Sequence, residues 1–259
     1  MKTVIVPVDY SETSLHAAEY AVQLFAWRNN VSILLYHHFT KASDAAQEEK
    51  NLNALKDKLG NSVPIEVLAH HGSDFIEDFE KAVRHRRAEL VIMGITGKTG
   101  FAKLFMGSNT LKFAERKVAP VLIIPEKATY REIKNVMLAT DFHNAWETTP
   151  SGPIKSFLET FKPKLHLVNV DPQHYVALTE DYNKEKNQLE AMFQEFDPES
   201  YFMRLFDVEE ALTLFAKDKN IDLIIAVQRE HSFFERLYKH SHTKELTYKS
   251  DVPIFVVHE

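Results

Sequence analysis

The chain carries the same pattern of residues twice, and this internal repeat restricts its fold more than any other feature. Three segments of the first half recur in the second half in the same order, with spacings of 132 or 133 residues. They are KTVIVPVDY (2–10) with KNVMLATDF (134–142), ELVIMG (89–94) with DLIIAV (222–227), and VAPVLIIPE (118–126) with DVPIFVVHE (251–259). Because three matches share one register, chance similarity is a poor explanation, and the repeat predicts a duplicated unit.

Each copy alternates short apolar runs, rich in β-branched residues, with longer amphipathic stretches. This alternation is typical of parallel strands joined by helical crossovers. We therefore predict an α/β fold with two tandem Rossmann-like domains, residues 1–127 and 133–259. Each would hold a five-stranded parallel sheet in the order 3-2-1-4-5, flanked by helices. The linker, residues 127–134, is short, so the two domains are expected to pack as an internal pseudo-dimer.

Composition narrows the class of protein further. The chain has no cysteine and a net charge of -6. This argues against disulfides and against a broad surface for nucleic acid or anionic membranes. The N-terminal apolar run is broken by Pro7 and ends at Asp9, unlike a signal peptide, and no apolar stretch approaches the ~20 residues of a membrane span. We expect a cytoplasmic protein with no nucleic-acid or membrane partner.

Four of the seven glycines lie in one stretch, MGITGKTGFAKLFMGSNT, residues 93–110. Gly97-Lys98-Thr99 has the ending of a phosphate-binding P-loop. The first glycine of such a loop would have to stand at position 92, where the chain has Ile92 inside a predicted strand. The P-loop interpretation therefore fails on spacing.

Another spacing fits this stretch. Gly94, Gly97 and Gly107-Ser108 form the pattern G-x2-G-x9-G-[ST] directly after the predicted fourth strand. This pattern resembles the nucleotide motif of the universal stress protein family. The Val-Asp that ends the first strand and the Pro-Val-Leu-Ile-Ile-Pro of the last strand resemble that family as well. The resemblance covers nearly the whole chain as a tandem pair, and it implies binding of ATP, with or without Mg²⁺.

The resemblance also implies which residues contact the nucleotide. Asp9 would contact the adenosine, although a turn or helix-capping role is an alternative for this aspartate. Met93 and His38 occupy positions where the family packs the adenine, and His38 departs from the usual aliphatic residue. The complete set of predicted binding residues is Asp9, His38, Met93, Gly94, Gly97, Gly107, Ser108, Asn109 and Thr110.

Physical reasoning agrees with the phosphate-binding part of this set. Gly94 ends a strand, where the absence of a Cβ would let a ligand lie along the backbone. The helix predicted to start at Gly107-Ser108 offers free N–H groups and the positive end of its dipole to an anion. The hydroxyls of Ser108 and Thr110 could add hydrogen bonds to it.

The second copy has lost this motif. Ala226 replaces Gly94, Arg229 replaces Gly97 and His240 replaces Gly107, and only Ser241 keeps its type. We therefore predict that the second domain has lost ATP binding of the usual kind. The alternative is a different anion pocket, built from the basic residues Arg229, Arg236, Lys239 and His240.

Catalytic and metal sites are not favoured. His37, His38, His70 and His71 end two neighbouring predicted strands, but strand alternation sends only one of each pair to a given face. A zinc site needs three or four ligands, so we predict no metal site. No catalytic triad or carboxylate pair stands out, and no catalytic residue is predicted.

The predicted function is that of a stress-response regulator, in which the nucleotide acts as a switch and is not a substrate. A nucleotide-independent scaffold for dimerisation or for an unidentified protein partner, and a slow ATPase or ATP-using ligase, stay open as alternatives. A homodimer of the whole chain is a further option.

Overall fold

A computed structural model of the protein describes residues 2–95, 108–140, 142, 144–170, 180–203, 208–228 and 251–259. The chain divides into two compact units, Met1–Tyr130 and Arg131–Glu259. The division falls inside the predicted linker.

Within its described residues, the first unit contains five strands and four α-helices. Its strands are β1 (Lys2–Pro7), β2 (Val31–Phe39), β3 (Ile65–His71), β4 (Leu90–Ile95) and β5 (Val121–Pro125), and its helices are α1 (Glu12–Phe25), α2 (Ala45–Leu59), α3 (Phe75–His85) and α4 (Ser108–Glu115). All strand pairs are parallel and their order is β3-β2-β1-β4-β5. The predicted fold class and strand order are confirmed for this unit.

The helices of the first unit cover its sheet in two layers. Helices α1 and α2 contact each other on one face, and α3 and α4 contact each other on the opposite face. The rings of Phe79 in α3 and Phe113 in α4 lie 4.6 Å apart, and both side chains are fully buried. Strands β2, β4 and β5 are buried along most of their length because helices cover both faces of a parallel sheet. Strand β3, at the end of the strand order, has one buried residue, Ile65.

Local signals in the sequence set where several helices begin and end. Ser11 caps α1, and its hydroxyl accepts a hydrogen bond from the backbone N–H of Ser14. Asp74 caps α3 in the same way through the backbone N–H of Glu77. Gly60 follows α2 with φ of 81°, a left-handed conformation that suits glycine.

The turn between β1 and α1 is held by Asp9. Its carboxylate accepts hydrogen bonds from the backbone N–H of Ser11, at 3.0 Å, and from the Ser11 hydroxyl. The backbone N–H of Asp9 donates to the Ser14 hydroxyl at 3.2 Å. Partial desolvation raises the pKa of Asp9, but hydrogen bonds with the Ser11 and Ser14 side chains and with backbone N–H groups outweigh it and hold the pKa below 3.8.

Helix α1 approaches the backbone of β4 closely at Gly94. A Cβ at this position would lie 2.5 Å from both the carbonyl oxygen and the Cγ2 atom of Thr13. Real Cβ atoms do not tolerate such distances, so only glycine allows α1 to pack here without a shift of its backbone. The contact positions the amino-terminal part of α1 against the carboxyl end of β4.

The second unit repeats this architecture. Its strands are β6 (Asn135–Ala139), β7 (Lys164–Val170), β8 (Glu199–Met203), β9 (Leu223–Gln228) and β10 (Ile254–His258), and its helices are α5 (Ala145–Thr148), α6 (Ser151–Leu158), α7 (Glu180–Met192) and α8 (Val208–Asp218). The strands are again parallel, in the order β8-β7-β6-β9-β10. This is the same order as in the first unit, and it confirms the predicted sheet.

Backbone hydrogen bonds show how closely the two units agree. The N–H of Val8 donates to Tyr36, and the N–H of Thr140 donates to Val168. Donor and acceptor are both displaced by 132 positions between the two units. The register of the first two strands is therefore the same in both copies.

The units differ at the helix that follows the first strand. In the first unit this helix is continuous, whereas in the second unit it is divided into α5 and α6 at Thr149-Pro150. Proline disfavours a helical conformation at the preceding residue. The sequence comparison aligned Ala226 with Gly94, but the strand register places Val227 there, because Val91 and Ile224 hold equivalent positions in the two sheets. Val227 is buried in β9, and α5 packs against α7 instead. An approach as close as that of α1 in the first unit is not compatible with the side chain of Val227.

The contact at Gly94 predicts a stability effect. Gly94→Ala should lower the free energy of unfolding by about 1–3 kcal/mol, because the added methyl group overpacks the contact with Thr13. Urea denaturation measures this value. The control is Gly152→Ala in α6, where a Cβ has no heavy atom within 4 Å and should be neutral or slightly stabilising. Equal stability of Gly94→Ala and the unmodified protein would refute the packing argument.

The hydrogen bonds of the Asp9 carboxylate predict that the stability of the protein depends on pH. A carboxylate whose pKa is lowered by folding stabilises the protein above its ordinary pKa, and this contribution disappears as the pH falls through the folded value. The stability difference between the unmodified protein and Asp9→Asn should therefore shrink as the pH falls from 6 to 3, measured by urea denaturation. Asp57→Asn, at an exposed site of α2, is the control. A difference that stays constant over this range would contradict the prediction.

Candidate functional site

The carboxyl ends of β1, β2 and β4 place several predicted site residues in neighbouring positions. Pro7, the last residue of β1, pairs with Tyr36 of β2, so Asp9 and His38 each follow this pair by two residues at the same end of the sheet. His38 in turn pairs with His70 of β3. Strands β1 and β4 are neighbours although they are not consecutive in the chain. Such a switch point at the carboxyl end of a parallel sheet is where open α/β folds bind ligands.

The amino end of α4 completes this edge. The hydroxyl of Thr110 in the first turn of α4 donates a hydrogen bond of 2.9 Å to the carbonyl oxygen of Gly94. Thr110 is buried, and the neighbouring Asn109 is exposed. Helix α4 begins at Ser108. The bond therefore places the free N–H groups of a helix amino terminus next to the end of β4, an arrangement that attracts anions.

The structure changes the roles expected for two of these residues. The glycine at position 94 is required by the approach of Thr13, whether or not a ligand lies along its backbone. The Thr110 hydroxyl gives its proton to the Gly94 carbonyl, so this proton is not available to a phosphate. Met93 is buried in β4. Gly97 and Gly107 lie outside the described residues.

His38 is bound to an acidic residue that the sequence analysis did not identify. Its Nε2 atom lies 3.2 Å from Oδ2 of Asp78 in α3. The Nε2 atom of His70 lies 3.9 Å from the same oxygen. The side chains of His38 and Asp78 are only 8% and 18% exposed. Two histidines from adjacent strands therefore share one largely buried carboxylate.

This carboxylate is held in its ionised form. A hydrogen bond from His38 lowers the pKa of Asp78, and the nearby positive groups of His70 and Lys81 lower it further against the opposing effect of desolvation. Lys81 lies 3.6 Å from the other carboxylate oxygen. The same negative charge, together with burial, raises the pKa of Tyr36.

The absence of a side chain at Gly72 leaves space for the contact between His38 and Asp78. A Cβ at Gly72 would lie 2.0 Å from Oδ2 of Asp78 and 2.8 Å from Nε2 of His38. Glycine is therefore the residue that allows the carboxylate to reach the imidazole.

The expected alternation of histidines is confirmed. His38 and His70 face α3, whereas the neighbouring His37 contacts Glu48 of α2 at 3.4 Å. The Nδ1 atom of His37 also lies 2.7 Å from the carbonyl oxygen of Val8. In the second unit Asn169 lies 132 positions after His37 and donates to Thr140, the counterpart of Val8.

Aromatic side chains occupy the corresponding edge of the second unit. The rings of Phe142, Tyr182 and Phe202 lie 5.2–5.5 Å from one another. Phe142 is buried and stands at the position of Tyr10. Asp141, Arg229, Arg236, Lys239, His240 and Ser241 lie outside the described residues.

The sequence indicates only weakly that Asp78 has a specific partner. It lies three residues after Phe75 and one before Phe79, so it falls on the apolar face of α3. An acidic residue on a buried helix face needs a partner, but the sequence does not say which one. Only the sheet order brings His38 and His70 to it.

Within the described residues, no group of three or more histidine and acidic side chains is arranged to hold a metal ion. None of the helices there combines the length and the apolarity needed to cross a lipid bilayer.

The first half of the chain matches a known protein family. Residues 1–125 match the model of the universal stress protein family. A universal stress protein of Methanocaldococcus jannaschii is 23% identical over 141 residues, which cover 48% of this chain and 81% of that protein.

Solved structures extend the likeness over both units. A universal stress protein from Archaeoglobus fulgidus aligns with 99% of this chain and 98% of its own, at 19% identity and a TM-score of 0.71. A universal stress protein in complex with cAMP aligns with 48% of this chain and 97% of its own, at 23% identity and a TM-score of 0.40. At full length the A. fulgidus protein shares the fold of this chain. The first half of the chain, residues 1–125, is a domain of the universal stress protein family.

Proposed function

We propose that the first domain binds an adenine nucleotide, with ATP as the leading ligand, and that bound nucleotide acts as a switch. The hydrogen bond from Thr110 to the Gly94 carbonyl carries this proposal. It holds the amino end of α4 next to the carboxyl end of β4, the strand that pairs with β1. Backbone N–H groups there would bind phosphate, and any Mg²⁺ would arrive with the phosphates.

Asp9 supports a binding role over a catalytic one. Its carboxylate accepts two hydrogen bonds from Ser11, so it is engaged with the protein and its pKa is lowered. A carboxylate of this kind is a weak base but a good acceptor for the hydroxyl groups of a ribose. We propose that it holds the sugar and does not activate water.

The second domain differs from the first at the positions that are proposed to bind the nucleotide. Val227 has a side chain where Gly94 of the first domain has none, and the aromatic rings around Phe142 line the corresponding edge. We propose that this domain binds no nucleotide and serves as a structural or regulatory partner of the first. A ligand can shift a conformational equilibrium only through different affinities for the two states. The site of the first domain would supply that difference for the whole chain.

The proposal predicts saturable binding of ATP. Isothermal titration should detect it at sub-millimolar nucleotide, in buffers with and without Mg²⁺. Gly107→Val should abolish binding, because side-chain bulk next to the start of α4 keeps phosphate from its backbone. Gly152→Val, the same change at an exposed glycine of the second domain, should bind ATP normally. A folded, unmodified protein that binds no ATP would refute the proposed function.

Binding in one domain predicts one nucleotide per chain. Native mass spectrometry of the protein in excess ATP should show a single added nucleotide per polypeptide, and none for Gly107→Val. Two nucleotides per chain, or one that persists in Gly107→Val, would show that the second domain binds. The same experiment with cAMP tests whether that nucleotide occupies the site instead.

A further inference from the structure

A histidine lies in the core of the second unit. His166 belongs to β7, and only 4% of its surface is exposed. The rings of Tyr201 in β8 and Phe215 in α8 lie 5.5 Å and 6.0 Å from its imidazole. In the first unit the same position of the sheet, 132 residues earlier, is occupied by Leu34. The titratable group at this core position is therefore specific to the second copy.

Among the described residues, only one nitrogen of this imidazole has a hydrogen-bond partner. The Nε2 atom lies 3.3 Å from the side-chain oxygen of Asn135 in β6. An amide oxygen only accepts hydrogen bonds, so Nε2 holds the proton of the neutral ring. The Nδ1 atom is buried and has no partner among the described residues. A second proton would bind at Nδ1 and create a buried donor without an acceptor there, which destabilises a fold.

The charged groups around His166 do not compensate a positive charge on its ring. They are Lys164 in the same strand, Glu199 in β8 and Lys219 after α8. The Glu199 carboxylate lies 2.9 Å from Lys164 and also accepts a hydrogen bond from the Tyr201 hydroxyl. Burial, together with the charges of the two lysines, holds the pKa of His166 below 6.5 against the opposing charge of Glu199. Tyr201 itself stays neutral, because burial and Glu199 raise its pKa to about 12.

Strand β8 is the element that this histidine can release. It stands at the end of the strand order, and its first residue, Glu199, pairs with His166. None of the five residues of β8 is fully buried. A strand at the end of a sheet with little buried surface opens at a lower free energy than the central strands. Its opening would uncover the imidazole, because the Tyr201 ring packs beside it.

We propose that His166 is an acid-sensitive switch of the second domain, in which proton uptake by the buried imidazole separates β8 from β7. In the open form the imidazole is in water and binds a proton near its ordinary pKa of about 6.5. The closed form resists this proton, so the open form gains population as the pH falls from 8 to 5. The second domain thereby responds to acidity, whether or not the first domain binds a nucleotide.

Urea denaturation of the full chain at pH 8 and pH 5 tests the switch. His166→Gln keeps an N–H donor for Asn135 but does not titrate. Between pH 8 and pH 5 the unfolding constant of the unmodified protein should rise at least fivefold more than that of His166→Gln. His166→Leu, which introduces the residue of the first copy, should behave like His166→Gln, and it replaces that variant if His166→Gln does not fold at pH 8. The control is His85→Gln at an exposed site of α3, which should follow the unmodified protein.

Hydrogen exchange at pH 5.5 locates the opening. Peptides from β7 and β8 should exchange at least fivefold faster in the unmodified protein than in the His166 variants at this pH, whereas peptides from β1 and β2 should exchange equally. Equal dependence of stability on pH in the unmodified protein and the His166 variants would overturn the proposal. Faster exchange in the first unit alone, or an equal rate for β7 and β8 in all proteins, would overturn it as well.

Discussion

The contact between α1 and β4 at Gly94 organises the first domain. On one side the missing Cβ admits Thr13, and on the other the carbonyl oxygen of Gly94 accepts the Thr110 hydroxyl. One residue thus positions two helices against the carboxyl end of a central strand. The turn at Asp9 begins α1, and α4 presents its amino end nearby. The candidate site is a consequence of this packing, since its residues come from segments far apart in the chain.

The two halves share the same sheet but differ at the edge of the sheet where the candidate site lies. The backbone bond that joins the first two strands is the same in both, and Asn169 takes over the contact that His37 makes. These contacts hold the sheet together, so they persist. The second copy has Val227, a divided helix and an aromatic edge in place of the close glycine contact. The sheet does not require a close glycine contact with the following helix, whereas the proposed nucleotide site does.

The cluster of His38, His70 and Asp78 gives the unusual histidine of the first domain a physical setting. An aliphatic side chain at position 38 would leave the Asp78 carboxylate without its closest partner and largely desolvated, which is costly. The histidine and the aspartate therefore depend on each other. Gly72 belongs to the same unit because it provides their space.

The duplication and the α/β class can be read from the sequence alone, and so can several helix ends of the first domain. The helix ends follow from hydrophobic periodicity, from capping residues such as Ser11 and from terminating residues such as Gly60, all of which act over a few neighbouring residues. The sequence also indicated the glycine motif, but the roles of Gly94 and Thr110 within it came from the structure. Only the tertiary structure joined His38 to Asp78, and Gly94 to Thr13, because these partners are 40 and 81 positions apart in the chain. Periodicity and spacing describe one segment at a time, whereas contacts of this kind depend on how the segments pack.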